Sequence, residues 1–190
     1  MTTLPTMRHR SLALSLLAAA AGGVSLTGCS TAPTSETGRE TLSIESRATL
    51  ERFRATDPSL GPVLDRAEGW AVFPSIGRGG FIAGGAFGRG EVFERGGQMI
   101  GFCNVTQGTV GLQAGGQSFS QIIVFLTPQA FADFKNNAFV LSANISAVAL
   151  SAGAAGAGDY TGGVLVLVEP QGGLMAELSI GGQRFTFEPR

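Results

Sequence analysis

Two arginines, Arg78 and Arg89, stand in a run of seven glycines between Ser75 and Glu91, SIGRGGFIAGGAFGRGE. A guanidinium beside exposed backbone can fork onto a phosphate, so the first question is whether this run is a phosphate-binding loop. A dinucleotide fingerprint needs a third glycine where Ile82 stands, and a Walker loop needs a lysine that the run lacks; the chain's one lysine is Lys135. Neither phosphate motif is present. What remains is alternation, with Phe81, Ala83, Gly85 and Phe87 on one side and Ile82, Gly84, Ala86 and Gly88 on the other. The run therefore reads as sheet whose glycines permit close approach or bending. Arg78 and Arg89 are the candidates for contacting a lipid headgroup, with solvent-facing hairpin arginines as the other reading. Trp70, Phe81 and Phe87 are candidates for an apolar lipid contact, with core packing as the other reading.

Other chemistries have little to work with. The single histidine, His9, lies in a segment read below as a leader, which leaves no histidine for a nucleophile system, a zinc site or general-base catalysis. Asp133, Asp159, Glu169 and Glu177 are the carboxylates that could pair for hydrolysis, but they read as helix surface, turns or outward strand positions. Cys103 alternates with apolar neighbours and reads as a small buried hydrophobe. No catalytic residue, cofactor or metal is expected, and the chain reads as a non-enzyme.

The N-terminus places the protein. Arg8, His9 and Arg10 precede an apolar run from Leu12 to Leu26, the form of a secretion signal and shorter than the roughly 20 residues of a bilayer span. Leu26-Thr27-Gly28-Cys29 resembles the lipobox of bacterial lipoproteins, which implies cleavage before Cys29 and acylation of that residue. The expected divisions are a signal peptide at 1–28, a flexible lipidated tether at 29–38 and one domain at 39–190. Acyl chains at roughly 0.8 kcal/mol per buried methylene would hold such a protein at a membrane. By analogy with Gram-negative sorting, Ser30 suggests the periplasmic face of the outer membrane.

Without the leader the chain carries 11 basic and 14 acidic residues, since the first 28 contain two of the 13 basic residues and none of the acidic ones. That balance argues against a general nucleic-acid partner.

The elements that would position these residues can be read from period and caps. Thr37-Gly-Arg-Glu40 has the form of a capping box, opening a helix over 38–55, and a second helix follows Asp57-Pro58. From Trp70 the period becomes two, giving strands at 70–75, 80–87, 90–95, 99–105, 109–114 and 119–126. Thr127-Pro128 opens a short helix. Ser151 to Gly158, rich in glycine and alanine, reads as a mobile loop, and strands are expected at 164–169, 173–179 and 183–188. The fold expected is α+β: an antiparallel β-rich curved sheet or partial barrel with two N-terminal helices and one short inserted helix.

In order along the chain, Ala67-Glu-Gly-Trp-Ala-Val-Phe-Pro74, Gly79 to Gly85, Gly88-Arg-Gly90, Gly108 to Gly115, Ser118 to Phe125 and Gly173 to Gly181 resemble the SYLF family, also called the Ysc84-type actin-binding domain. The resemblance covers roughly residues 40 to 188. It implies phospholipid binding without catalysis, as in bacterial relatives that are exported or lipid-anchored; eukaryotic relatives bind phosphoinositides and bundle actin. The expectation is an envelope-anchored lipoprotein with a phospholipid-binding domain, and the other reading is a structural or adaptor lipoprotein that binds an envelope protein or glycan. The helix at 38–55 balances Arg39, Arg47, Arg52 and Arg54 against Glu36, Glu40, Glu45 and Glu51, so it has no excess charge for an anionic surface.

Overall fold

The computed structural model describes residues 31–80, 83–110, 117–141, 147–158, 160–171 and 182–190. Helix α1 (Glu36–Thr56) opens at Ser35, whose hydroxyl accepts from the Gly38 amide at 3.1 Å, so Ser35 rather than Thr37 is the cap. Its buried stripe is Leu42, Ser46, Thr49 and Phe53. Only two of the four are apolar, and Ile44 is 69% exposed.

Polar contacts therefore help to hold α1 down. Arg52 reaches across to Glu169 at 2.7 Å and to the Ser120 hydroxyl at 3.0 Å. Helix α2 (Leu60–Arg66) follows, with Pro62 in its first turn, where a missing N–H costs little.

Four long strands come next, where six short ones were expected: β1 (Gly69–Gly80), β2 (Ala83–Glu94), β3 (Met99–Val110) and β4 (Gln117–Phe125). Glycines at and between the expected strand ends are paired inside ladders, Gly79 opposite Gly85 and Gly108 also opposite Gly85 from the other side. A true turn does fall at Gly96-Gly97, both with positive φ as a tight hairpin requires. Helix α3 (Pro128–Lys135) is capped by Thr127, as expected. The chain then adds β5 (Val140–Leu141), β6 (Ala147–Ala149), α4 (Ala154–Ala157), β7 (Val164–Gln171) and β8 (Gln183–Pro189). The strand expected at 173–179 lies outside the described residues.

The eight strands form one curled sheet in the order β5-β8-β3-β2-β1-β4-β7-β6, antiparallel except for β6 against β7. The architecture is thus α+β with a curved half-barrel sheet. One face carries Phe73, Cys103, Phe119, Phe125 and Phe185 and packs on α3. The other carries Trp70, Val72, Phe93, Ile122 and Leu167 and lies under α1, α2 and α4. Cys103 is fully buried among apolar groups, and burial, with the charge of Glu91, pushes its thiol well above the usual range.

Candidate functional site

The site begins with Pro74. Pairing of β1 shifts register between Val72 and Ser75 on the β2 side and between Phe73 and Ile76 on the β4 side, so a bulge is centred on Pro74. A proline has no N–H for a ladder and fits such a bulge, and its freed carbonyl accepts from the Ser120 hydroxyl at 2.8 Å and the Gln171 amide at 2.6 Å. One extra residue exchanges the faces of everything beyond it. Before the bulge the odd residues Ala71 and Phe73 face the α3 side; after it, Ile76 and Arg78 do.

The exchange separates the two candidate arginines. Arg78 is buried, 7% exposed, in a row with Ala86 and Gln107, and its guanidinium donates to Gln107 Oε1 at 3.3 Å. Desolvation lowers its pKa. Arg89 lies on the opposite face, the one toward α1, exposed, with its guanidinium 5.4 Å from the centre of the Phe87 ring. The expectation that Arg78 and Arg89 frame one headgroup site is therefore corrected: the two are on different faces, and Arg78 is no solvent-facing hairpin residue.

The glycines of β2 serve the bulge. A Cβ on Gly88 would come within 2.8 Å of the Ser75 carbonyl, and one on Gly90 would collide with the Val72 carbonyl. Only glycine lets these strands approach there.

Phe87 and Arg89 border a groove of about 580 Å³ between β1, β2 and the first turns of α1, with Pro33, Ser35, Leu42 and Gly77 among its walls. Phe87 is 42% exposed, one of three large apolar side chains that are exposed among the described residues. The chain reaches the groove by a packed strap. Thr31 and Ala32 are buried, Asn104 donates to the Thr31 hydroxyl at 3.4 Å, and the Ala32 amide donates to Glu188 at 3.2 Å. Asn104 sits directly across the ladder from Arg89. Residues 31–38, expected within a flexible tether, are thus sheet-packed strap and the start of a helix.

The remaining candidates scatter. Trp70 is 4% exposed and stacks on Phe93 at 6.0 Å, the core reading of that residue. Phe81 and Cys29 lie outside the described residues, as do Asp159 and Glu177. Asp133 accepts from Gln129 at 2.7 Å along α3, and Glu169 is the partner of Arg52. These two carboxylates are engaged separately.

Two buried carboxylates escaped the sequence reading. Asp57 accepts from the Ser59 amide at 3.0 Å, the Ser59 hydroxyl at 2.6 Å, the Gly153 amide at 3.0 Å and the Ala155 amide. It thereby pins the glycine and alanine segment expected to be a mobile loop; Ala154 and Ala155 are buried in a short helix there. Burial raises the Asp57 pKa, but these hydrogen bonds outweigh it and the net shift is downward.

Glu91 lies 2% exposed beneath α1. Burial holds its pKa up, against the opposing pull of Arg47, Ser43, Ser46 and Arg190. Local pattern reading could have flagged Asp57 through its Asp-x-Ser turn form, but nothing local marks Glu91.

A curled, mostly antiparallel sheet with helices on both faces and a bulged glycine-rich hairpin defines the structural class. Residues 106–189 match the family model of Ysc84, described as a Las17-binding protein actin regulator. The matched segment takes in β4, α3, β7 and β8, while Phe87, Arg89 and the strap precede it. None of the curated proteins matches this chain.

Proposed function

We propose that this protein is a non-catalytic, envelope-anchored lipoprotein whose domain binds phospholipid through the Phe87 and Arg89 face of the sheet. The observation that carries the reading is the strap: Asn104, the ladder neighbour of Arg89, holds Thr31, two residues after Cys29. Two extended residues span at most about 7 Å. Acyl chains on Cys29 would therefore enter the bilayer beside the exposed ring and guanidinium. An aromatic ring with a cation above it suits the boundary between headgroups and acyl chains, where each contributes modestly and an anchor supplies the rest. The actin-regulator description belongs to the family model, and lipid binding is the property we carry to this chain.

The test is co-sedimentation of the full chain bearing Cys29→Ser, which cannot be acylated, with zwitterionic and with anionic phospholipid vesicles at low and moderate salt. Salt-sensitive binding to anionic vesicles that falls severalfold in a Phe87→Ala, Arg89→Ala variant is expected. Absence of binding to either vesicle would sink the lipid reading and favour an adaptor that meets an envelope protein or glycan.

A further inference from the structure

A second cleft, of about 620 Å³, lies where α1 ends over the β2–β3 hairpin, away from Phe87 and Arg89. Its floor is apolar: Trp70 stacked on Phe93, with Leu50 and Met99 beside them. The hairpin turn above it is bare, because Gly96 and Gly97 carry no side chains. Gly97 faces the Cζ2 edge of the indole, the edge that leads to Nε1, and a Cβ on it would lie 4.0 Å away.

One polar group in this floor is unanswered. Trp70 Nε1 is buried and meets no hydrogen-bond acceptor among the described residues. A buried donor left unpaired costs about 1–3 kcal/mol, so a buried tryptophan usually has an acceptor.

The rim is charged. Arg95 is committed to Glu68 at 2.7 Å and to the Ala67 carbonyl at 3.1 Å. Arg54 is exposed and makes no ion pair among the described residues. Arg47, whose charge acts on Glu91, also borders the cleft, as do Glu51 and Asp65, so it suits one anionic group placed at Arg54.

From these features we propose that the cleft binds a single-chain anionic amphiphile. Its carboxylate or phosphate pairs with Arg54, one head oxygen accepts from the Trp70 indole as the side chain adjusts under the glycine turn, and its chain lies along Phe93, Leu50 and Met99. The cleft's volume falls in the range of small-ligand sites. This site is separate from the membrane face proposed above and stands or falls independently of it.

Trp70 is the sole tryptophan of the chain, so intrinsic fluorescence reads this cleft directly. The experiment titrates the full chain bearing Cys29→Ser with dodecanoate, dodecyl phosphate, dodecyl maltoside and inorganic phosphate, each detergent below its micelle concentration. We expect a saturable change in Trp70 emission with one or both anionic amphiphiles, which identifies the head chemistry, and none with the maltoside or inorganic phosphate. Arg54→Ala, an exposed substitution, should weaken the response about tenfold, the loss of one charge-assisted contact. No saturable response to either anionic amphiphile, an equal response to the maltoside, a response to inorganic phosphate alone, or indifference to Arg54→Ala would each overturn the proposal.

Discussion

Arg78 and Arg89 come from one glycine-rich run yet stand on opposite faces of the sheet, because the bulge at Pro74 reverses the side-chain alternation of β1 before Arg78 is reached. Single substitutions should separate their roles. Arg78→Ala removes a buried guanidinium hydrogen-bonded to Gln107 and should lower unfolding stability by about 1–3 kcal/mol while leaving vesicle binding intact. Arg89→Ala should change stability by less than about 0.5 kcal/mol and weaken binding to anionic vesicles. Urea denaturation and co-sedimentation on both variants check this; a shared loss of binding without a stability cost would contradict the two-face geometry.

The glycines opposite the bulge are tested by adding one carbon. Gly90→Ala places a methyl against the Val72 carbonyl and Phe73 ring and should cost about 1–3 kcal/mol, through strand displacement. Gly77→Ala, where a Cβ meets no atom within 4 Å, should be nearly neutral. Thermal unfolding of the pair distinguishes a steric need at one position from a general need for glycine in the run.

Asp57 and Glu91 should give opposite pH signatures. Asp57 has a folded pKa below its unfolded value of about 3.9, so its stabilisation is present above that pH and is lost as pH falls through the folded pKa. Asp57→Asn should remove that acid-side loss and also lower stability at pH 7, since an amide cannot accept all four hydrogen bonds.

Glu91 has a folded pKa above its unfolded value, so the folded state is favoured at low pH and loses stability as pH rises from about 4 through the folded pKa. Glu91→Gln should therefore stabilise the protein at pH 7 and flatten its pH profile on that side. Chemical denaturation from pH 3 to 8 reads both variants; a lower stability of Glu91→Gln at pH 7 would show that the Arg47 and serine contacts outweigh burial.

The Asp57 clasp also makes a prediction for the backbone. The amides of Gly153, Ala155 and Gly156 donate to Asp57 or Ser59, so they should exchange slowly with deuterium, and a Ser59→Ala variant should speed exchange at Gly156 first. Uniformly fast exchange over 151–158 would restore the reading of that segment as a loose loop.

What the sequence made legible was local. Thr127-Pro128 announced α3, and the period-two alternation announced β-structure and its curvature through small residues. The extent of the strands was misread because glycine marks both turns and close packing, and only the partner strand decides which. Gly90 is required by the Val72 carbonyl across the ladder, a contact absent from any short window of sequence. The face that Arg78 takes was not legible, for a single reason. A proline inside a strand pattern signals a bulge, but its effect on parity appears only when both neighbouring registers are known. The clasp at Asp57 joins residues separated by 96 and 98 positions, and the burial of Glu91 depends on where α1 lies down, so neither could be read from periodicity. Of the groove, Phe87 and Arg89 were named in advance, but the strap that completes it was read as a tether.

The packing of Thr31 and Ala32 has a consequence for concentration. Because Thr31, two residues after Cys29, is held by Asn104, a group attached to that cysteine would meet the Phe87 groove as an intramolecular ligand, and short linkages of this kind correspond to effective concentrations on the order of millimolar. A weak intrinsic affinity would then suffice to keep the groove occupied, and a free lipid in solution would compete with a neighbour that never diffuses away.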